Sequence, residues 1–170
     1  MTPSSDSDAL AQATVALSHP GLIRIVTEID DNGPLQRHLL SRTLTSLSRQ
    51  QLRHATKAGR TLGLLRIGTK AGVPSLLLTR GGTELAEIYD MAARWARTQR
   101  YPAPVADFVV RVQSTLTLLG AAGPFEDGDA VWDEDLDALR AAFTSWLRDH
   151  AADSGRPTPG RASAGWELAA

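Results

Sequence analysis

Between Pro34 and Arg80 the chain runs for 47 residues without one Asp or Glu. The same stretch carries nine cations: Arg37, Arg42, Arg49, Arg53, Lys57, Arg60, Arg66, Lys70 and Arg80. No carboxylate of the segment itself can neutralise them. They must turn outward onto a face clear of negative charge while the apolar residues between them turn in. The chain of 170 residues has a formal net charge of only −1. Residues 20–100 hold 13 basic and six acidic residues, and residues 101–170 five basic and 11 acidic. The positive charge is local, which predicts a polyanion-binding face on one region only.

Apolar spacing supplies the elements. Asp6 or Ser7 can cap a helix to about Leu17, with Leu10, Ala13 and Leu17 on one face. Pro20 suits the first turn of a second helix, to about Asp30, with Leu22, Ile25, Val26 and Ile29 inward. DDNGP is a turn. A short helix is predicted from Leu35 to about Ser41, followed by the connector RTLTSL. Ser48 and Gln51 have the spacing of a capping box, opening a helix whose inward stripe is Leu52, Ala55, Gly59 and Leu62. Its opposite face is Arg49, Gln50, Arg53, His54, Lys57 and Arg60. The runs Leu64–Ile67 and Ser75–Leu78, separated by a Gly-containing segment, read as a β-hairpin with Lys70 at its tip. Thr79 can cap a long helix, Gly82 to about Thr98, with Leu85, Ile88, Ala92 and Trp95 inward.

Two further helices are predicted, Val105–Gly120 and about Ala130–His150, joined by a loop over residues 120–129. The first has Val105, Phe108, Val109, Val112, Leu116 and Leu119 on one side; the second has Trp132, Leu136, Leu139, Phe143 and Trp146. Acids in the first turns of the last helix and Arg148 near its end suit the helix dipole. From Asp153 to Ala170 the composition of Gly, Pro, Ser and Ala predicts a disordered tail. The expected organisation is an N-terminal helix over 1–19, a core domain over 20–100, a helical extension over 101–152 and a tail over 153–170. The long seams need a partner. They either fold back on the core or pair across a two-fold axis. Leu10, Leu17, Ile88, Trp95, Phe108, Val112, Leu116, Trp132, Leu139, Phe143 and Trp146 are the candidates for such a dimer interface.

Composition narrows the chemistry. There is no Cys, which removes disulfides, thiolate metal sites and Cys nucleophiles. The four His have no metal-ligand spacing, so no metal site is expected. No nucleophile elbow, P-loop or dinucleotide fingerprint occurs, so no cofactor and no enzymatic activity are expected. No apolar run approaches the roughly 20 residues of a membrane span, and MTPSSDSDALAQ has no secretory pattern, so a cytoplasmic location is expected. The 18 basic residues are almost all Arg, a bias of GC-rich genomes such as those of actinobacteria.

Two helices joined by a tight connector, the second presenting polar and basic groups, make a helix-turn-helix, and a following hairpin makes it winged. The fold class expected is mainly α with a small β-hairpin wing and additional N- and C-terminal helices. The stretches HPGLIRIVTEIDDNGPLQRHLL, SLSRQQLRHATKAGRTLGLLRI and SLLLTRGGTELAEIYDMAARWAR resemble the bacterial winged helix-turn-helix transcriptional regulators of the HxlR and MarR kind. The resemblance covers about residues 18–99. It implies double-stranded DNA as partner and a homodimer reading two half-sites. A pocket between the helices could bind a small-molecule effector, which no residue identifies. Arg49, Gln50, Arg53 and His54, early in the capped helix, are the base-readout candidates. Arg37, Arg42, Lys57 and Arg60 would meet phosphates, and Arg66, Lys70 and Arg80 would contact backbone from the wing. No aromatic residue lies between Pro34 and Arg80, which favours duplex DNA over stacked single strands. The alternative is a protein-interaction module whose basic face docks an acidic partner, or the chain's own acidic C-terminal part. Gln50 beside two Arg argues for base readout instead.

Overall fold

The computed structural model describes residues 3–121 and 133–154. Helix α1 (Pro3–Leu17) leads through a two-residue break, Ser18 and His19, into α2 (Pro20–Asn32). His19 caps α2, its Nδ1 accepting from the Gly21 N–H at 3.2 Å. Gly33, at φ 81°, ends α2 in a conformation open to glycine. A two-residue strand, β1 (Leu35–Gln36), and a single 3₁₀ turn (Arg37–Leu39) precede the short α3 (Leu40–Thr43). Helix α4 (Arg49–Thr61) is followed by the hairpin β2 (Leu65–Lys70) and β3 (Val73–Leu78). Helices α5 (Arg80–Thr98), α6 (Phe108–Gly120) and α7 (Glu134–Ser154) complete the chain. It is a mainly helical fold with one small three-stranded antiparallel sheet, in the order β1-β3-β2. No described helix is long and apolar enough to cross a membrane.

Four expectations are corrected. Leu35 and Gln36 are strand, not the start of a helix, because β3 has a free edge: Leu35 pairs with Leu76 and Gln36 with Ser75. The hairpin is longer than its apolar runs. It continues to Lys70 and Val73 and closes through Ala71 and Gly72, both at positive φ (51° and 78°), which suits the strand twist. The sixth helix starts at Phe108 and leaves Val105 94% exposed. Asp107 is the better cap, its carboxylate accepting from the Val110 N–H at 2.9 Å, and Pro102 and Pro104 keep the preceding residues from helical geometry. The last helix extends to Ser154, so the first residues assigned to a tail are helical. Trp132, most of the loop before it, and residues 155–170 lie outside the described residues.

Two hydrophobic clusters organise the interior. The smaller joins the sheet to α2, α4 and the α3–α4 connector through Ile25, Ile29, Leu35, Leu44, Leu52, Ala55, Leu65 and Leu76. The larger joins α1, the other side of α2, α5, α6 and α7. Helix α2 is the wall between them, and α5, expected to belong with the basic region, turns its buried face to the larger cluster. Tyr89 ties that cluster to α1: its buried hydroxyl donates to the Leu17 carbonyl at 2.6 Å, and burial holds its pKa far above the ordinary value. Asp133 caps α7 and accepts from the Trp95 indole at 2.9 Å and from Gln99 at 2.6 Å.

Ten of the eleven residues assigned to a dimer interface pack within the chain; the eleventh, Trp132, lies outside the described residues. Leu10, Leu17, Ile88, Trp95, Val112, Leu116, Leu139, Phe143 and Trp146 are all buried in the larger cluster, and Phe108 packs half-buried against it. α6 packs on α1, α2 and α5, and α7 packs on α5, so these seams fold back on the core.

Candidate functional site

Helix α4 is built by its own first turn. The Ser48 hydroxyl accepts from the Gln51 N–H at 3.2 Å, and the Gln51 side-chain oxygen accepts from the Ser48 N–H at 2.8 Å. Both bonds satisfy donors that the helix start leaves open. Leu52, Ala55 and Gly59 are buried. At Gly59 a Cβ would come within 2.9 Å of Leu65 Cγ and 3.1 Å of Leu22 Cδ1, so only glycine lets α4 lie this close to β2 and α2. The helix ends in a Schellman motif around Gly63, at φ 70°. The Leu64 N–H reaches the Gly59 carbonyl at 2.8 Å, and the Gly63 N–H reaches that of Arg60 at 3.1 Å.

Burying that stripe exposes the other side. Arg49, Gln50, Arg53, His54, Lys57 and Arg60 are all exposed. They do not form one surface. Arg49, Arg53, Lys57 and Arg60 line a groove of about 870 Å³ between α4 and the 3₁₀–α3 segment, and Arg37 faces them across it. Leu40 and Leu52 are its apolar lining, and Ser41, Thr56 and Thr61 add hydroxyls. None of the lining residues is acidic. Five cations around one concavity repel each other, a cost that bound counter-charge relieves. Guanidinium and ammonium groups beside hydroxyls suit phosphate oxygens.

The other predicted residues are placed differently. Gln50 stands exposed but does not line the groove. His54 turns to the opposite flank, where its ring lies 5.4 Å from that of His19. Arg42 is exposed on α3, outside the groove lining. Arg66 is exposed on β2, across from Leu77. Lys70 ends β2, but its ammonium lies back beside Gly33, where a Cβ would be 3.9 Å away; the tip is Ala71–Gly72. Arg80 stays exposed at the start of α5. It pairs with Glu84, one turn along α5, at 2.8 Å, and lines a small cavity with Asp149 and His150.

Sequence reasoning missed Leu40, Ser41, Thr56 and Thr61. Thr56 was findable, since 49, 52, 56 and 60 share one flank of a helix. Leu40 and Ser41 were not, because only the packing of α3 against α4 brings them there. A second concavity, of about 380 Å³, lies between α2, α5 and α6, lined by Arg24, Glu28, Asp31, Asp90 and Phe108 among others. It lies among the helices where an effector was expected. Partial burial, then Asp31 and Asp30, raise the pKa of Asp90, with Arg94 opposing. No protein-family model, curated protein or solved structure matches the chain.

Proposed function

We propose that this protein is a transcriptional regulator of the winged helix-turn-helix type that binds duplex DNA in a sequence-specific way. One observation carries the reading: a rigidly capped helix presents exposed cations beside a groove with no acidic lining residue. The element order supports it. A helix, a short strand, a short helical segment, a second helix and a hairpin whose last strand is central form the frame in which such proteins present a recognition helix. In this reading α4 enters the major groove. Arg49, Gln50 and Arg53 reach base edges from its first turns. Lys57, Arg60 and Arg37 hold the phosphate strand that lies in the groove. His54 is less favoured as a readout residue, because it faces the His19 flank. Arg80 is less favoured as a wing contact, because Glu84 pairs with it. Action as a homodimer on an operator completes the proposal, with the second copy held through surface other than the filled helical seams.

The test is selection from a pool of random duplex DNA at two salt concentrations. Enrichment of an inverted repeat, with half-sites about one helical turn apart, is the expected result. Weak binding without enrichment, lost at the higher salt, would reduce the site to a basic surface and overturn the regulator.

A further inference from the structure

The end of α4 is tied to the helical cluster at three successive carbonyls. The Thr79 N–H donates to Leu64 O at 2.9 Å, and the Thr79 hydroxyl to Gly63 O at 2.6 Å. His150, at the far end of α7, takes the third: its Nε2 lies 2.6 Å from Leu62 O. A carbonyl can only accept, so Nε2 carries the hydrogen. One turn earlier, the Trp146 indole N–H donates to Gly81 O at 3.1 Å. The two rings stack, with centroids 4.8 Å apart and planes within 8°. Gly81 makes room for them, since a Cβ there would run into the His150 ring. Gly82 makes room for the turn itself, since a Cβ there would run into Leu64 O. Trp146 is buried and anchors the pair in the larger cluster, whereas His150 is half-buried. Arg80, Glu84 and Asp149 border it across a cavity of about 210 Å³.

Neither Trp146 nor His150 lines the groove beside α4. The Schellman motif satisfies the Gly59 and Arg60 carbonyls from within. The Leu62 carbonyl lies outside that motif, and a residue 88 positions away supplies its donor. We infer that the last turn of α7 is a latch on the α4–β2 junction, holding the end of α4, and with it Lys57 and Arg60, in the position the groove requires. Release of the latch would loosen the late, phosphate-facing part of α4 and leave the capped first turns in place. Where the inference concerns DNA it rests on the reading of α4 given above.

Amide exchange tests the latch independently of any ligand. His150→Ala removes the donor. Gly81→Ala displaces the ring from the other side, although alanine would ordinarily strengthen a helix. Both are expected to speed exchange at Leu62, Gly63 and Leu64 about tenfold, the loss of one hydrogen bond's worth of protection, with α6 amides unchanged as the internal reference. His150→Gln, which keeps a side-chain N–H donor, is expected to recover part of the protection. Binding of a mixed-sequence duplex at low salt should weaken several-fold in the first two variants. Unchanged exchange in both would overturn the latch. Faster exchange with unweakened binding would overturn its control of the surface. Failure of the unaltered protein to bind any duplex would remove the DNA reading instead, and exchange alone would then decide the latch.

Discussion

Among the described residues, the cluster around the sheet buries eight hydrophobic side chains; the helical cluster buries 22 and holds every buried aromatic residue. The two share α2 and differ in what they do with their surfaces. The sheet region, from Pro34 to the end of β3, has no carboxylate, and five cations of its α3–α4 part converge on one groove. The helical region pairs charge locally, as Arg80 does with Glu84, and uses polar groups such as Asp133 and Tyr89 to join helices. A small core suffices for the sheet region because a wall of the larger core supports it. Its surface is thereby left to carry charge that a self-sufficient fold would tend to neutralise.

That contrast can be broken at its strongest point first. Phe143→Ala empties a fully buried site in α7 and should cost about 3–5 kcal/mol in chemical denaturation. One cooperative transition that loses both regions is expected, since α2 belongs to both. Survival of slow amide exchange in β3 after loss of α6 and α7 would show the sheet region to be self-sufficient. Arg53→Ala tests the opposite property. Its Tm should hold, while affinity for a selected duplex falls by about 1–3 kcal/mol and preference relaxes at one base pair. Unchanged binding would move the recognition face elsewhere.

Smaller effects sharpen the picture. Ser48→Ala removes one half of the capping box and should lower stability by about 1 kcal/mol, read from the urea midpoint. A null result would mean that packing of Leu52 and Ala55, not the cap, fixes where α4 begins. The least effect is expected at Asp90→Asn. Burial and then the neighbouring acids raise the pKa of Asp90, so the fold disfavours its ionised form. That penalty is absent at pH below the unfolded carboxylate range and appears as pH rises through the folded value. The variant should melt slightly higher than the parent at neutral pH and converge with it in acid. A lower Tm at neutral pH would show that Arg94 outweighs the acids.

Much of helix α4 was legible because its determinants are local. Ser48 and Gln51 are three residues apart, and the stripe Leu52, Ala55 and Gly59 follows directly from helical spacing. The Thr79 cap and the buried face of α5 were readable for the same reason. The pairing of Arg80 with Glu84 could also have been read, since the two stand one helical turn apart. β1 was not legible. Two residues carry no period, and Leu35 becomes strand only because β3 arrives from some 40 residues later with an open edge.

By itself, then, the sequence determined where helices start, which of their faces turn in, and that positive charge must gather on the outside of one region. Hydrogen bonds, caps and apolar periods within a few residues decide those matters, and they are present before the chain folds. The tertiary structure alone decided that the seams of α1, α5, α6 and α7 close on one another, because an apolar stripe is equally satisfied by its own chain or by a second copy. It alone gathered Arg37 with the cations of α4, and it alone placed His150 on Leu62 across 88 residues. Such contacts depend on how packed elements are positioned in space, and no local pattern encodes that.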